Sequence, residues 1–151
     1  MILRVYGTPA SKGSGRAILR GGKALYLSGG SKQQQRQQEG WDVAVRDAVR
    51  TARAAGPVPM LPHGPVRVVV TFLLGRPKAH YYTNRGELRP TAPKLCMAGR
   101  DLDKMVRATL DPLEAAGLIE SDAHVCQITA SKQYADPGEP PGAWLTVEPI
   151  G

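Results

Sequence analysis

Cysteine is scarce in this chain: Cys96 and Cys126 are the only two among 151 residues, and no CxxC spacing joins them. Neither a thiolate zinc site nor a disulfide framework is suggested by such a pair, so two reduced thiols are expected. Long apolar runs are missing too. No stretch approaches the roughly 20 residues needed to cross a bilayer, which sets a membrane span aside. The opening Met1-Ile2-Leu3-Arg4-Val5-Tyr6 alternates like a strand and lacks the basic-then-apolar layout of a signal peptide. The expectation is a cytoplasmic protein with no membrane partner. Acid is the third deficit, with 13 Asp and Glu against 20 Lys and Arg and a formal charge of +7. A field of that sign draws polyanions, and release of condensed counterions favours nucleic acid.

What is present suits one folded unit spanning 1–151. A composition of 42% hydrophobic and 22% charged residues belongs to a chain that buries a core, not to a disordered one. After the first strand comes a basic, glycine-rich stretch, Lys12-Gly13-Ser14-Gly15-Arg16. Residues 16–27 fit a hairpin turning on Gly21-Gly22. From Ser31 to about Ala55 the pattern is helical, with Trp41, Val45, Ala48, Val49 and Ala52 recurring at spacings of three and four. Val66 to Leu74 is apolar and β-branched, as a central strand requires. A second helix is expected from about Leu102 to Ala116, then strands at 125–134 and 143–149. Strands and helices mix without strict alternation, so the class is α+β, a mixed sheet flanked by two main helices.

Between the central strand and the second helix, residues 75–99 show no periodicity. The stretch carries Arg76, Lys78, Arg85, Arg89 and Lys94 against the single acid Glu87, together with Tyr81 and Tyr82. Cations mixed with tyrosines meet both phosphates and unstacked bases. A solvated loop without a task is the plainer alternative.

The chemistry sits in Arg100-Asp101-Leu102-Asp103-Lys104-Met105-Val106-Arg107. Leu102, Met105, Val106, Thr109, Leu110 and Leu113 form one helical stripe that would face the core. Asp101 and Asp103 stand where a loop enters the helix, and paired carboxylates repel unless a cation neutralises them. Hard oxygen ligands of this kind suit magnesium, with manganese as an alternative. Lys104 and Arg107 could hold a phosphate. Capping by Asp101 explains the motif equally well. Further along, Asp122 stands at a strand entrance, where it could fold back beside Asp101 and Asp103. Asp111-Pro112 is a helix-start signal, so a kink or restart is expected there.

These residues resemble the RusA family of Holliday junction resolvases. The resemblance rests on Arg100-Asp101-Leu102-Asp103, the helix through Asp111 and Leu113, and Gly117-Leu118-Ile119 leading to Asp122-Ala123-His124-Val125. Gly7-Thr8-Pro9 with Lys12-Gly13, and Lys132, support it. It implies a homodimer that uses magnesium or manganese to nick symmetrically related strands of four-way DNA. It implies an acidic triad at Asp101, Asp103 and Asp122, with Arg100 and Arg107 as the basic residues beside it. The best-known bacterial form has Asn where this chain has Lys104, and Lys where it has Arg107, a pattern similar to an actinobacterial or phage branch. A lysine role in the reaction is therefore expected to have moved to Lys104, and Glu120 becomes a substitute ligand. Lys12, Arg16, Arg76, Lys78, Arg85, Arg89, Lys94 and Arg100 are the expected DNA contacts. A flap or fork nuclease and a non-catalytic junction-binding protein are the competing readings.

Overall fold

The computed structural model describes residues 1–13, 16–27, 30–57, 63–83 and 86–151. Strand β1 (Ile2–Tyr6) is followed by a hairpin of β2 (Arg16–Arg20) and β3 (Lys23–Leu27). Gly21 and Gly22 both take positive φ, +59° and +74°, the backbone that a two-residue turn with the strands' own twist demands. Helix α1 (Lys32–Ala55) opens on a capping box, Ser31 accepting from the Gln34 amide while the Gln34 side chain accepts from that of Ser31. Strand β4 (Val66–Leu74), helix α2 (Leu102–Ala115) and strands β5 (Val125–Tyr134) and β6 (Gly142–Pro149) complete the regular elements.

The main sheet has the order β1-β6-β4-β5. β6 runs antiparallel to both its neighbours, whereas β4 and β5 are parallel. The result is the α+β arrangement expected from the sequence, a mixed sheet with two helices. Alternation puts Leu3, Val5, Val68, Val70, Phe72, Leu145 and Val147 on one face, all buried. Trp41, Val45 and Val49 of α1 and Met105, Ala108 and Leu113 of α2 pack there. Each fully buried Val, Leu, Phe or Met among them contributes about 1.5–3 kcal/mol. The buried Thr109 is satisfied twice: its Oγ1 accepts from the Trp41 indole at 3.1 Å and donates to the Met105 carbonyl at 2.9 Å. The opposite face presents Arg4, Arg67, Thr71 and Glu148 to solvent. Among the described residues no helix is long and apolar enough to cross a membrane.

Two local expectations are revised. Helix α2 continues through Pro112 as one element instead of restarting there. Proline removes one donor, but Pro112 is itself buried against the core, and Asp111 pairs with Lys12 rather than capping a new helix. The helix ends at Gly117, where the Gly117 amide bonds to Glu114 and that of Leu118 to Leu113. Gly117 takes φ +67° there, a left-handed cap that favours glycine. The core stripe of α2 is also rotated. Ala108 and Pro112 are buried with Met105, Thr109 and Leu113, and Leu102, Val106 and Leu110 are only half-buried.

Residues 75–99 are more regular than their sequence suggests. A 3-10 turn (Lys78–His80) leads into a bridge between Tyr81 and Leu88. Arg76 braces the stretch by donating to the carbonyls of Ala135 and Pro93, its guanidinium 5.3 Å from the Tyr134 ring. Residues 94–96 then lie along the end of β5. The Tyr134 amide bonds to Lys94, the Cys96 amide to Lys132, and Leu95 bridges Gln133. Hydropathy periodicity cannot record this order, because backbone pairing to a sheet edge supplies it.

Candidate active site

Helix α2 begins at Asp101, which has the extended backbone of an N-cap but makes no capping hydrogen bond with its side chain. Its carboxylate instead accepts from the Lys104 ammonium at 2.7 Å. That hydrogen bond and charge hold the Asp101 carboxyl below its usual range, with a smaller contribution from Lys132. Asp103 stands in the first turn and is exposed, where unpaired amides favour negative charge. Two carboxylates therefore open toward solvent at one helix end.

The chain entering α2 is held from three sides. Lys132, on the helix-facing side of β5, donates to the Arg100 carbonyl at 2.7 Å. The Arg100 guanidinium donates to the Pro9 carbonyl and to Gln37 on α1. The Lys12 amide bonds to the Lys104 carbonyl at 3.1 Å. Arg100 and Lys12, expected on DNA, are thus engaged within the protein, Lys12 through Asp111 as well. Arg107 is exposed one turn beyond Asp103 and makes no ion pair among the described residues.

Asp122 is placed differently from the expectation. It opens a 3-10 turn (Asp122–His124) just before β5, and its amide donates to the Glu114 carboxylate at 3.0 Å. Glu114 is in the last turn of α2, eleven residues after Asp103, or about 16 Å along the axis. The reason is directional. The start of α2 is fastened to the end of β5 by Lys132, and the end of α2 meets the start of β5, so the two elements run in opposite senses. Asp122 therefore does not fold back beside Asp101 and Asp103 of its own chain. Among the described residues no three His, Cys, Asp or Glu side chains converge closely enough to hold an ion.

Beside Asp122 in the chain lies Glu120, paired with two histidines to which the sequence assigns no role. Glu120 faces His63 Nδ1 at 2.8 Å and His124 Nδ1 at 3.3 Å. The Glu120 hydrogen bond holds His63 above the usual histidine range, and His63 in turn lowers Glu120. Glu120, considered as a substitute ligand, belongs to this end of α2 and not to the end that carries Asp101. Lys132 was legible only through the family resemblance. Its spacing from Asp101, 31 positions on, gives no local signal.

Of the remaining basic candidates, Lys78 and Lys94 are exposed. Arg89 donates to the Tyr81 carbonyl and lies 5.4 Å from the Tyr82 ring. Lys78, Tyr81, Tyr82 and Arg89 line one cleft on this surface. Arg85 and the side chain of Arg16 lie outside the described residues.

No curated protein matches the chain. The sequence model of the family described as Endodeoxyribonuclease RusA matches residues 23–142, which includes α1, the 75–99 stretch, α2, β5 and both groups of carboxylates. With that match covering most of its length, the chain belongs to the RusA endodeoxyribonuclease family, whose members act on branched DNA junctions.

Proposed function

We propose that this protein is a metal-dependent endodeoxyribonuclease that resolves four-way DNA junctions by paired, symmetric nicks, and that it does so as a homodimer whose sites are shared between subunits. The observation that carries the reading is the separation of the carboxylates. Asp101 and Asp103 stand at one end of α2 and Asp122 at the other. A second copy related by a two-fold axis can bring opposite ends together, twice over. A four-way junction has approximate two-fold symmetry and offers two equivalent phosphates to such a pair.

The donor set fits a hard divalent cation. Magnesium is held by one or two carboxylates with water and phosphate oxygens filling the rest of the shell, which Asp101 and Asp103 satisfy, with Asp122 supplied by the partner. When bound, the ion lowers the pKa of a coordinated water and offsets charge on the phosphate under attack. Lys104 keeps Asp101 ionised and ready to bind. Arg107, on the exposed side of α2, suits bidentate contact with phosphate oxygens. Lys132 and Arg100 position the loop that carries Asp101. Lys78, Arg89 and Lys94 follow the backbone of the arms, which gives recognition by shape more than by sequence. Recombination, repair or phage DNA processing in a bacterial cytoplasm is the setting this reading implies.

The test is complementation. A labelled junction is incubated with Asp103→Asn, with Asp122→Asn, and with the two mixed, in magnesium or chelator, with a linear duplex and a flap as controls. Shared sites predict that each variant alone is inactive and that mixing restores nicking, because each mixed dimer then contains one intact site. Sites confined to one chain predict no recovery. Binding without cleavage by the native chain in magnesium and again in manganese would leave a junction-binding protein, and equal cutting of the flap would favour a broader branch nuclease.

A further inference from the structure

Strand β5 is an edge strand, and its exposed part is undefended. Residues 125–131 read Val-Cys-Gln-Ile-Thr-Ala-Ser, without one charge in a chain of net +7. Exposed edges are ordinarily protected by lysine, proline or a covering segment, because their free amides and carbonyls recruit other strands. Here the cover stops short. Residues 94–96 take the edge only beside 132–134, and no described strand covers the rest. Cys126, Gln127, Ile128 and Thr129 are all exposed, Ile128 to 46%. Leu95, within the covering segment, and Met97, just after it, are exposed to 64% and 93%.

The hydrogen bonds already made show which groups are left. The Tyr134 amide and the Lys132 carbonyl point to the outer edge, where they meet Lys94 and Cys96. Backbone groups of successive strand residues point to alternate edges, so the N–H and C=O of Ala130 and Ile128 point outward as well. We propose that two copies of this chain join through this edge, their β5 strands pairing antiparallel about Thr129. The proposal rests on the shared-site reading and names the surface that would create it.

In that register Ile128 of one copy faces the partner's Ala130, and the reverse, each pair exchanging two hydrogen bonds. Thr129 faces its own copy as a close, non-hydrogen-bonded pair, in which threonines pack well. The irregularities of β5 fit the same arrangement. Its register against β4 shifts between Val66 and Arg67, so that Cys126 is an extra residue, a bulge that turns the strand start aside. Without that turn, the start of one β5 would collide with residues 94–96 of the other copy. The diverted segment carries Asp122, and it is led across Leu95 and Met97 toward the 97–101 segment that enters α2. A DNA strand is a poor occupant of this edge, since it would find no cation between 125 and 131.

Two substitutions test the register. Thr129→Cys in a Cys126→Ser background should form a disulfide-linked dimer on mild oxidation, because the two β-carbons would stand about 4.5–5.5 Å apart. Trp144→Cys, on the outer sheet face in the same background, should not. Thr129→Lys should weaken the dimer by about 100-fold or more by sedimentation equilibrium, as two ammonium groups meet across the axis. Circular dichroism would confirm that it stays folded. A native dimer that persists in Thr129→Lys and fails to cross-link at 129 overturns the proposal and leaves shared sites standing through another surface. A native chain that cuts junctions as a monomer overturns both.

Discussion

The Asp101 carboxylate stands where the amides of a helix start and the ammonium groups of Lys104 and Lys132 all favour its charge. The sequence left this residue between two roles, cap and ligand. The structure removes the side-chain cap, because a capping carboxylate would bond to the amides of the first turn and this one does not. A pH effect follows. A carboxyl held below its usual range stays ionised as pH falls, so a site that depends on it keeps working further into acid. Lys104→Met removes the largest cause of the lowering and lets the carboxyl rise toward its ordinary value. The acid limb of the pH–rate profile for junction cleavage should then move to higher pH. An unmoved limb would mean that another group sets it. At the same scale, Arg100 and Lys12 show that charge alone does not reveal which groups a cation is tied to within the fold. Both are cations near the site, yet their partners are Pro9, Gln37 and Asp111, which no spacing rule foretells.

At the scale of elements the sequence was most informative where one local signal sufficed. The three- and four-residue apolar spacing of α1, the Gly21-Gly22 turn and the β-branched run of β4 each carry their structure within a short stretch. The 75–99 stretch was opaque because its order comes from pairing with β5 and from the Arg76 brace, both remote in sequence. The α1–α2 contact is of this remote kind, and it centres on the Trp41 indole and Thr109. Thr109→Val keeps the shape but leaves a buried indole N–H without an acceptor. It should cost about 1–3 kcal/mol, read as a lower urea midpoint with an unchanged slope. A loss well under that range would mean that the indole finds another partner.

For the whole molecule, the class and the sheet were legible, but the layout of the site was not. Asp101 and Asp122 are 21 positions apart, which on paper looks like a short turn back. A fourteen-residue helix running against β5 converts that short interval into distance. Nothing in composition or spacing records the sense in which two packed elements run. The net charge acts at this scale too. Among the described cations of the 75–99 stretch, exposed Lys78 and Lys94 have the fewest internal ties, so replacing both with alanine should weaken junction and duplex binding alike. The slope of log affinity against log salt should fall by about two, near 0.9 per lost phosphate contact. An unchanged slope would place the DNA on another face.

Helix α2 has one more property, which is its stiffness. Fourteen residues make a rod about 21 Å long. If each site takes one carboxylate group from either end of such rods, the gap between the two incisions is fixed by a count of helical turns. A loop would stretch to suit the substrate, whereas a helix acts as a ruler. Under that arrangement a junction must bend to the enzyme's spacing before both strands can be cut.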